Sequence, residues 1–244
     1  MPKDRLDIRL VQLGLTESRE RAQRLIRAGK VRVDGQRAEK PGHAVAADAA
    51  ITLEAPERFV SRGGEKLEAA FARFPIRVDQ RVCVDIGAST GGFTDCLLQH
   101  GAARVYAIDV GRAQLHPRLA SDPRVVALEG LNARHLAPAS LPEVCEFGCA
   151  DVSFISLEKI LPALRSLLRT GADAVTLIKP QFEAGRTQVG SGGVVRDPAV
   201  HRAVIDRIRA FGEREARLAW RDHCESPLRG PAGNIEFLAW WTAR

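Results

Sequence analysis

Val82-Cys83-Val84-Asp85-Ile86-Gly87-Ala88-Ser89-Thr90-Gly91-Gly92-Phe93 runs from a valine-rich apolar segment through one acid into a cluster of glycines. A buried parallel strand that turns into a helix start has this pattern. Glycines at such a turn let the backbone approach a ligand closely, and the helix N-terminus beyond them offers unpaired N–H donors. The expectation is a nucleotide-binding turn. A dinucleotide fingerprint needs G-x-G-x-x-G. Gly87 and Gly92 fit that spacing, but Ser89 takes the middle position, where a pyrophosphate comes nearest the chain. A ligand without a pyrophosphate suits the turn better, and S-adenosylmethionine is such a ligand.

Outward from this stretch the chain alternates. Apolar runs recur at 105–109, 125–128, 147–151 and 174–178, with helix-like segments between them. This predicts an α/β fold, a Rossmann-like doubly wound parallel sheet with helices on both faces. Ligands in such sheets sit at the carboxyl ends of the strands, near the point where strand order reverses. Polar residues stand at those ends. Asp109 closes the second strand and is placed to accept two ribose hydroxyls. Asn132 follows the third, where an adenine edge could be read; Asp151 closes the fourth and Lys179 the fifth. One strand-end Asp alone is as well explained by a helix cap. Four consecutive polar strand ends are harder to dismiss.

Ser61-Arg62-Gly63-Gly64-Glu65-Lys66-Leu67 opens a helix with an apolar stripe of Leu67, Ala70, Phe71 and Phe74. Lys66 falls in its first turn, where a cation opposes the helix dipole. Either it is exposed and slightly unfavourable, or its pKa is being lowered for use. Residues 181–196 are polar and glycine-rich and are expected to form a loop over the site. A helix should start at Pro198. The last two strands are expected at 216–221 and 234–241. Glu236 falls inside the second of these, and a buried carboxylate there needs a cationic partner.

A chain of 244 residues, 45% apolar and 27% charged, suits one medium domain and a small one. No apolar run approaches the roughly 18–20 residues that span a bilayer, and Met1-Pro2-Lys3-Asp4-Arg5 leads into no apolar signal region. A cytoplasmic protein is the expectation. The five cysteines form no C-x-x-C pair, so neither a disulfide framework nor a zinc site is expected. Net charge is +6, and residues 1–40, with 11 Lys/Arg against 6 Asp/Glu, carry nearly all of it. That asymmetry points to a polyanion partner for the N-terminal segment.

Within that segment a helical stripe of Leu6, Leu10, Val11 and Leu13 stops at Gly14. A second helix, with Thr16 as its expected cap, runs to Gly29. Ala22, Leu25 and Ile26 should face inward and Arg21, Arg24, Arg27 and Lys30 outward. A short strand then ends in the Asp34-Gly35 turn. A solvated charged face would look similar, but few acids are interspersed in this one. Pro56 marks a boundary within 55–62. The domains expected are an RNA-binding α+β domain at 1–57, a linker at 58–62 and the larger domain at 63–244.

The order helix, basic helix, strand over residues 3–54 resembles the small RNA-binding domain named after ribosomal protein four of the small subunit. That resemblance implies Arg5, Arg9, Arg19, Arg21, Arg24 and Lys30 as phosphate contacts. Lys66, Asp151, Lys179 and Glu236 make a Lys-Asp-Lys-Glu set which, with the glycine turn, looks like the FtsJ class of ribose 2′-O-methyltransferases. The chain is closer still to the TlyA family of haemolysin-like ribosomal RNA methyltransferases. The shared marks are Ser61 to Leu67, Asp85 to Phe93, Asp151-Val152-Ser153-Phe154-Ile155-Ser156-Leu157, Lys179-Pro180-Gln181-Phe182-Glu183 and Gly192-Gly193-Val194-Val195-Arg196-Asp197-Pro198. The resemblance implies S-adenosylmethionine as donor, the 2′-hydroxyl of ribosomal RNA cytidines as acceptor and no metal. Donor contacts would come from Asp85, Gly87, Ala88, Ser89, Thr90, Gly91, Gly92, Phe93, Asp109, Asn132 and Asp151.

A ribose hydroxyl is a poor nucleophile and needs a base beside its proton, in line with the methyl. Lys179 is the expected base, Lys66 the second cation that lowers its pKa and orients the hydroxyl. Asp151 would order the lysines and the donor, and Glu236 would fix one lysine. Two other readings compete: a non-catalytic RNA-binding or ribosome-assembly factor, which the intact set argues against, and a membrane-damaging haemolysin, for which the sequence offers no amphipathic membrane helix.

Overall fold

The structure, a computed structural model, describes residues 3–54 and 57–244. Residues 55 and 56 of the expected boundary lie outside the described residues. The chain divides into two compact units, Met1–Glu57 and Arg58–Arg244.

In the first unit β1 (Lys3–Arg5) leads into α1 (Leu6–Gln12), α2 (Arg19–Arg27), β2 (Val31–Val33), β3 (Gln36–Arg37), β4 (Ala44–Ala46) and β5 (Ile51–Leu53). β1 pairs with β4, and the other three strands form a sheet in the order β3-β2-β5. Leu6, Leu10, Ala22, Ile26, Val31 and Val45 make the core. Val11 and Leu13 lie outside it, at 36% and 45% exposure, so the stripe of α1 is narrower than expected. The cap of α2 is Ser18, whose side chain accepts from the Arg21 N–H, and not Thr16. Thr16 belongs to the end of α1 instead, its N–H bonded to the Leu10 carbonyl. Gly14 (φ +67) and the Asp34-Gly35 turn (φ +52, +80) take the left-handed backbone that the sequence implies.

Asp7 is wholly buried in this unit. It accepts hydrogen bonds from Arg5, Arg19 and Gln23. One carboxylate thereby gathers two arginines at one place.

The second unit is built on α3 (Gly63–Arg73), β6 (Val82–Ile86), α4 (Gly92–Gln99), β7 (Arg104–Asp109), α5 (Pro117–Ala120) and β8 (Val125–Glu129). Then come β9 (Cys145–Ala150), α6 (Leu161–Leu167), β10 (Leu168–Ile178), α7 (Pro180–Glu183), α8 (Pro198–Arg214), β11 (Leu218–Glu225) and β12 (Phe237–Ala243). Seven strands form one sheet in the order β11-β12-β10-β9-β6-β7-β8. Strand order reverses between β6 and β9, the expected switch point. β12 runs antiparallel to both neighbours. A short return from β11 permits only that sense, whereas a parallel partner needs a long crossover.

Alternate residues of the central strands feed two cores. Ile86, Leu164, Ile208 and Trp241 pack on one face with α6 and α8. Leu67, Leu97, Phe147 and Val175 pack on the other with α3 and α4. Between β8 and β9 the expected helix is absent among the described residues, and two 3₁₀ turns, Ala133–His135 and Pro138–Ser140, take its place. Pro138 and Pro142 remove the donors a helix would need.

Hydrogen bonds from Arg5, Gln23 and Arg19 hold the Asp7 carboxyl well below the ordinary aspartate range, against the opposing effect of burial. A depressed folded-state pKa contributes stability above the unfolded value and loses it as pH falls. Below about pH 4 the first unit should lose stability in step with Asp7 protonation. Acid titration followed by circular dichroism should show a shallower loss in Asp7→Asn than in the wild type; identical slopes would contradict this.

Candidate active site

The N-termini of α3 and α4 and the carboxyl ends of β6, β9 and β10 converge on a cavity of about 360 Å³. Four charged side chains from distant parts of the chain meet in it. Lys179 Nζ, at the end of β10, lies 2.5 Å from Asp151 Oδ1, just beyond β9. The other Asp151 oxygen is 3.8 Å from Lys66 Nζ on α3. Lys66 in turn donates to Glu236 Oε2 at 2.6 Å. Charges therefore alternate along Lys179–Asp151–Lys66–Glu236. Glu236 is 1% exposed and Lys179 9%, so each charge depends on its neighbour for the solvation it has lost.

The expected partner for Glu236 is thus present, and it is Lys66. The placement of Glu236 differs from expectation: it lies just before β12, not inside a strand. Asn234, two residues earlier, bonds through its side chain to Val195 N and Gly193 O, and so is tied to the segment before α8. The two lysines also do not face each other directly. A carboxylate stands between them, so the mutual repulsion expected of two adjacent cations is offset by attraction on both sides.

The glycine turn forms the opposite wall. Ala88, Ser89, Thr90, Gly92 and Phe93 line the same cavity. Gly87 (φ +82) packs so tightly that a Cβ there would strike the Asp151 carbonyl oxygen. Ser89 itself adopts φ +48, a strained backbone for a non-glycine residue. Its N–H is held by Asp109 Oδ2 at 2.8 Å, and Asp109 Oδ1 accepts from Gly111 N at 2.7 Å. A second cavity of about 590 Å³ adjoins the first, sharing Gly87, Ser89, Asp151 and Ser153 with it. Asp109 and Asn132 line it, among the apolar Val110, Leu131, Val152 and Ile155.

Two expected donor contacts are elsewhere. Gly91 (φ +97) turns toward Leu115 and Leu119 and lies off both cavity walls. Asp85 is completely buried below the turn, where it accepts from Thr94 Oγ1 at 2.7 Å and so ties β6 to α4. Its apolar strand context was the available signal, since an acid inside such a run is more often internal than exposed to a ligand.

Several site residues escaped the sequence. Lys179 also donates to Ser153 Oγ at 2.9 Å. Gln181 donates to Glu236 Oε1 at 3.2 Å. Glu183, buried at the end of α7, accepts from Ser156 Oγ, Leu157 N and Arg207, and fastens the segment after β10 to the segment after β9. The stretch expected as loop therefore begins as a helical turn. Phe154 (φ +61) is 89% exposed and lies 4.9 Å from Phe182. Ser153, Phe154, Gln181, Phe182 and Glu183 all stand within four residues of Asp151 or Lys179, inside motifs already singled out.

On the first unit the expected basic residues differ in their freedom. Arg5 and Arg19 are engaged with Asp7, Arg9 with the Ala47 carbonyl, and Arg21 with Glu17. Lys30 contacts Glu57 and, more distantly, Glu54. Arg24 is exposed, and among the described residues no carboxylate is paired with it.

The pattern of the FtsJ-like methyltransferase family matches residues 59–243, and that of the S4 domain residues 4–51. The chain belongs to the FtsJ-like methyltransferase family. S-adenosylmethionine is its methyl donor, and the residues present fit it: an apolar slot with a carboxylate at its rim opens onto a glycine turn and a helix N-terminus. The chain is 48% identical over 241 residues to the 16S/23S rRNA (cytidine-2′-O)-methyltransferase TlyA of Mycobacterium tuberculosis, covering 97% of this chain and 88% of that one. It is 44% identical over 240 residues to a protein named Hemolysin A from Brachyspira hyodysenteriae, covering 96% and 98%. A solved structure under a hemolysin name from Streptococcus thermophilus superposes with a TM-score of 0.76 at 44% identity, covering 100% of this chain and 89% of that one.

Burial raises the Asp85 carboxyl to about 7, with the Thr94 hydrogen bond opposing and the Asp151 charge adding to the rise. This FtsJ-like domain in its folded state therefore keeps a proton that the unfolded chain releases near pH 4. Stability from this group is complete below the unfolded value and is lost as pH rises through about 7. Urea unfolding at a series of pH values should show that falling limb in the wild type and a flatter profile in Asp85→Asn. Parallel profiles would be contrary evidence.

Proposed function

We propose that this protein is an S-adenosylmethionine-dependent methyltransferase that modifies the ribose 2′-hydroxyl of cytidines in ribosomal RNA. The observation that carries the proposal is the alternating Lys179–Asp151–Lys66–Glu236 chain at the mouth of the donor cavity. Its relatives named as rRNA (cytidine-2′-O)-methyltransferases support the acceptor, and the S4 domain supports an RNA partner. Such a substrate supports a cytoplasmic location. Among the described residues no helix is long and apolar enough to cross a membrane.

The donor would be held by Asp109 at its ribose hydroxyls, by Asn132 at its adenine edge, and by the turn from Gly87 to Phe93 at its amino-acid end. When bound it supplies an electrophilic methyl on a sulfonium. The protein's own residues do the rest. Lys179, once its own proton has passed to Asp151 or solvent, would accept the proton of the 2′-hydroxyl, whose oxygen would take the methyl while the sulfur keeps the S–C bonding pair. Lys66, anchored by Glu236, donates to the same hydroxyl and keeps its lone pair aimed at the methyl. Asp151 fixes the spacing of the two amines. Gln181, on the other Glu236 oxygen, prevents that carboxylate from turning away.

The hemolysin names among relatives suggest membrane damage as a second activity. The buried charge chain has no part in such a role, and liposomes should not leak when the protein is added. For the proposed reaction, Lys179→Ala should lower methyl transfer to ribosomal RNA by a factor of about 10²–10⁴, the usual contribution of a general base. Donor binding by calorimetry should change little, while the unfolding midpoint should fall because Asp151 loses its nearer cation. Transfer at the wild-type rate by a folded Lys179→Ala protein would sink the assignment of the base.

A further inference from the structure

The cavity that holds the four alternating charges is lined by two more cations, Arg62 and Arg229. Both are exposed. Arg62 immediately precedes α3, in helical backbone conformation (φ −57°). Arg229 stands in the return between β11 and β12, braced by a weak hydrogen bond of 3.4 Å to the Gly233 carbonyl. Other arginines of this unit hold acids: Arg58 pairs with Glu68, Arg73 with Asp222, Arg104 with Glu143 and Arg118 with Asp95. Among the described residues no carboxylate is paired with Arg62 or Arg229.

Charge arithmetic then becomes specific. The cavity wall carries Lys66, Lys179, Arg62 and Arg229 against Asp151 and Glu236. The alternating four cancel, so the two arginines leave an excess of two positive charges at the mouth. A lone nucleoside would not need that excess. A ribose inside an RNA chain does, because one phosphodiester leaves on its 3′ side and another on its 5′ side, each with a single negative charge. Guanidinium groups suit the task, since their planar fork bonds two phosphate oxygens at once.

We infer that Arg62 and Arg229 clamp the two phosphates that flank the target ribose, holding its 2′-hydroxyl over Lys179. This rests on the assignment of an RNA ribose as acceptor. Both arginines are positioning residues; neither touches the transferring methyl. The clamp also gives the methyltransferase domain a grip on RNA of its own, additional to that of the S4 domain.

The test uses the full-length protein with Arg62→Ala, Arg229→Ala, the double variant and the two Arg→Lys variants. The KM for ribosomal RNA should rise about tenfold for each alanine, or about 1.4 kcal/mol, with a smaller change in kcat. RNA affinity measured over a range of salt should lose about 0.7–0.9 of its log–log slope per arginine removed. Lysine should restore the slope but only part of the KM. Donor affinity by calorimetry should stay as in the wild type. Unchanged RNA KM and slope would overturn the clamp. So would an equal loss of donor affinity, which would place the arginines on the donor's carboxylate. If the wild type transferred no methyl to RNA yet the slopes still fell, the clamp would stand and the assigned reaction would fail.

Discussion

Mutual compensation of four charges, two buried and two half-buried, is the constraint on which the catalytic domain turns. Lys66, Asp151, Lys179 and Glu236 come from α3, the end of β9, the end of β10 and the approach to β12, yet none is tolerable alone in its surroundings. Removing one partner strands another, which typically costs about 3–5 kcal/mol for a buried pair. Assembling the whole set therefore stabilises the fold around this cavity. The same compensation explains why Glu236 sits beside Lys66 in this cavity. It holds the Lys66 amine in place, and Gln181 holds Glu236 in turn.

Around this set the backbone is built for close approach. Gly87 leaves no room for a side chain against Asp151, so the glycine turn and the strand end that carries the central carboxylate are pressed together. Asp109 then holds the strained Ser89 backbone from the neighbouring strand. The two cavities share this wall, and under the proposed function the shared wall brings a methyl and a hydroxyl within reach of each other. Below it the buried Asp85–Thr94 bond joins β6 to α4 and supports the turn without facing the ligand.

Much of this was legible in the sequence because it follows from periodicity and strand ends. The parallel strands, the switch point, the glycine turn and the polar residues at the carboxyl ends all obey local rules. What was not legible depended on long-range contact. No pattern distinguishes Lys66 bonding Glu236 from Lys179 doing so, and only the fold separates the two lysines by a carboxylate. Asp85 looks like a ligand contact until its burial is seen. Ser18 replaces Thr16 as cap because Thr16 is already committed to the end of α1. The basic surface of the first unit was visible as charge, but the sharing of Asp7 by Arg5 and Arg19 was not.

The central claim is that the alternating charges serve transfer to a ribose oxygen of ribosomal RNA. Methyl-labelled S-adenosylmethionine should be incubated with the protein and unmodified ribosomal subunits, and the recovered RNA digested with alkali. A methylated 2′-oxygen blocks cleavage of the adjoining phosphodiester. The label should appear in alkali-resistant dinucleotides whose 5′ residue is cytidine. Label released in alkali-sensitive mononucleotides, on a base, would contradict the account.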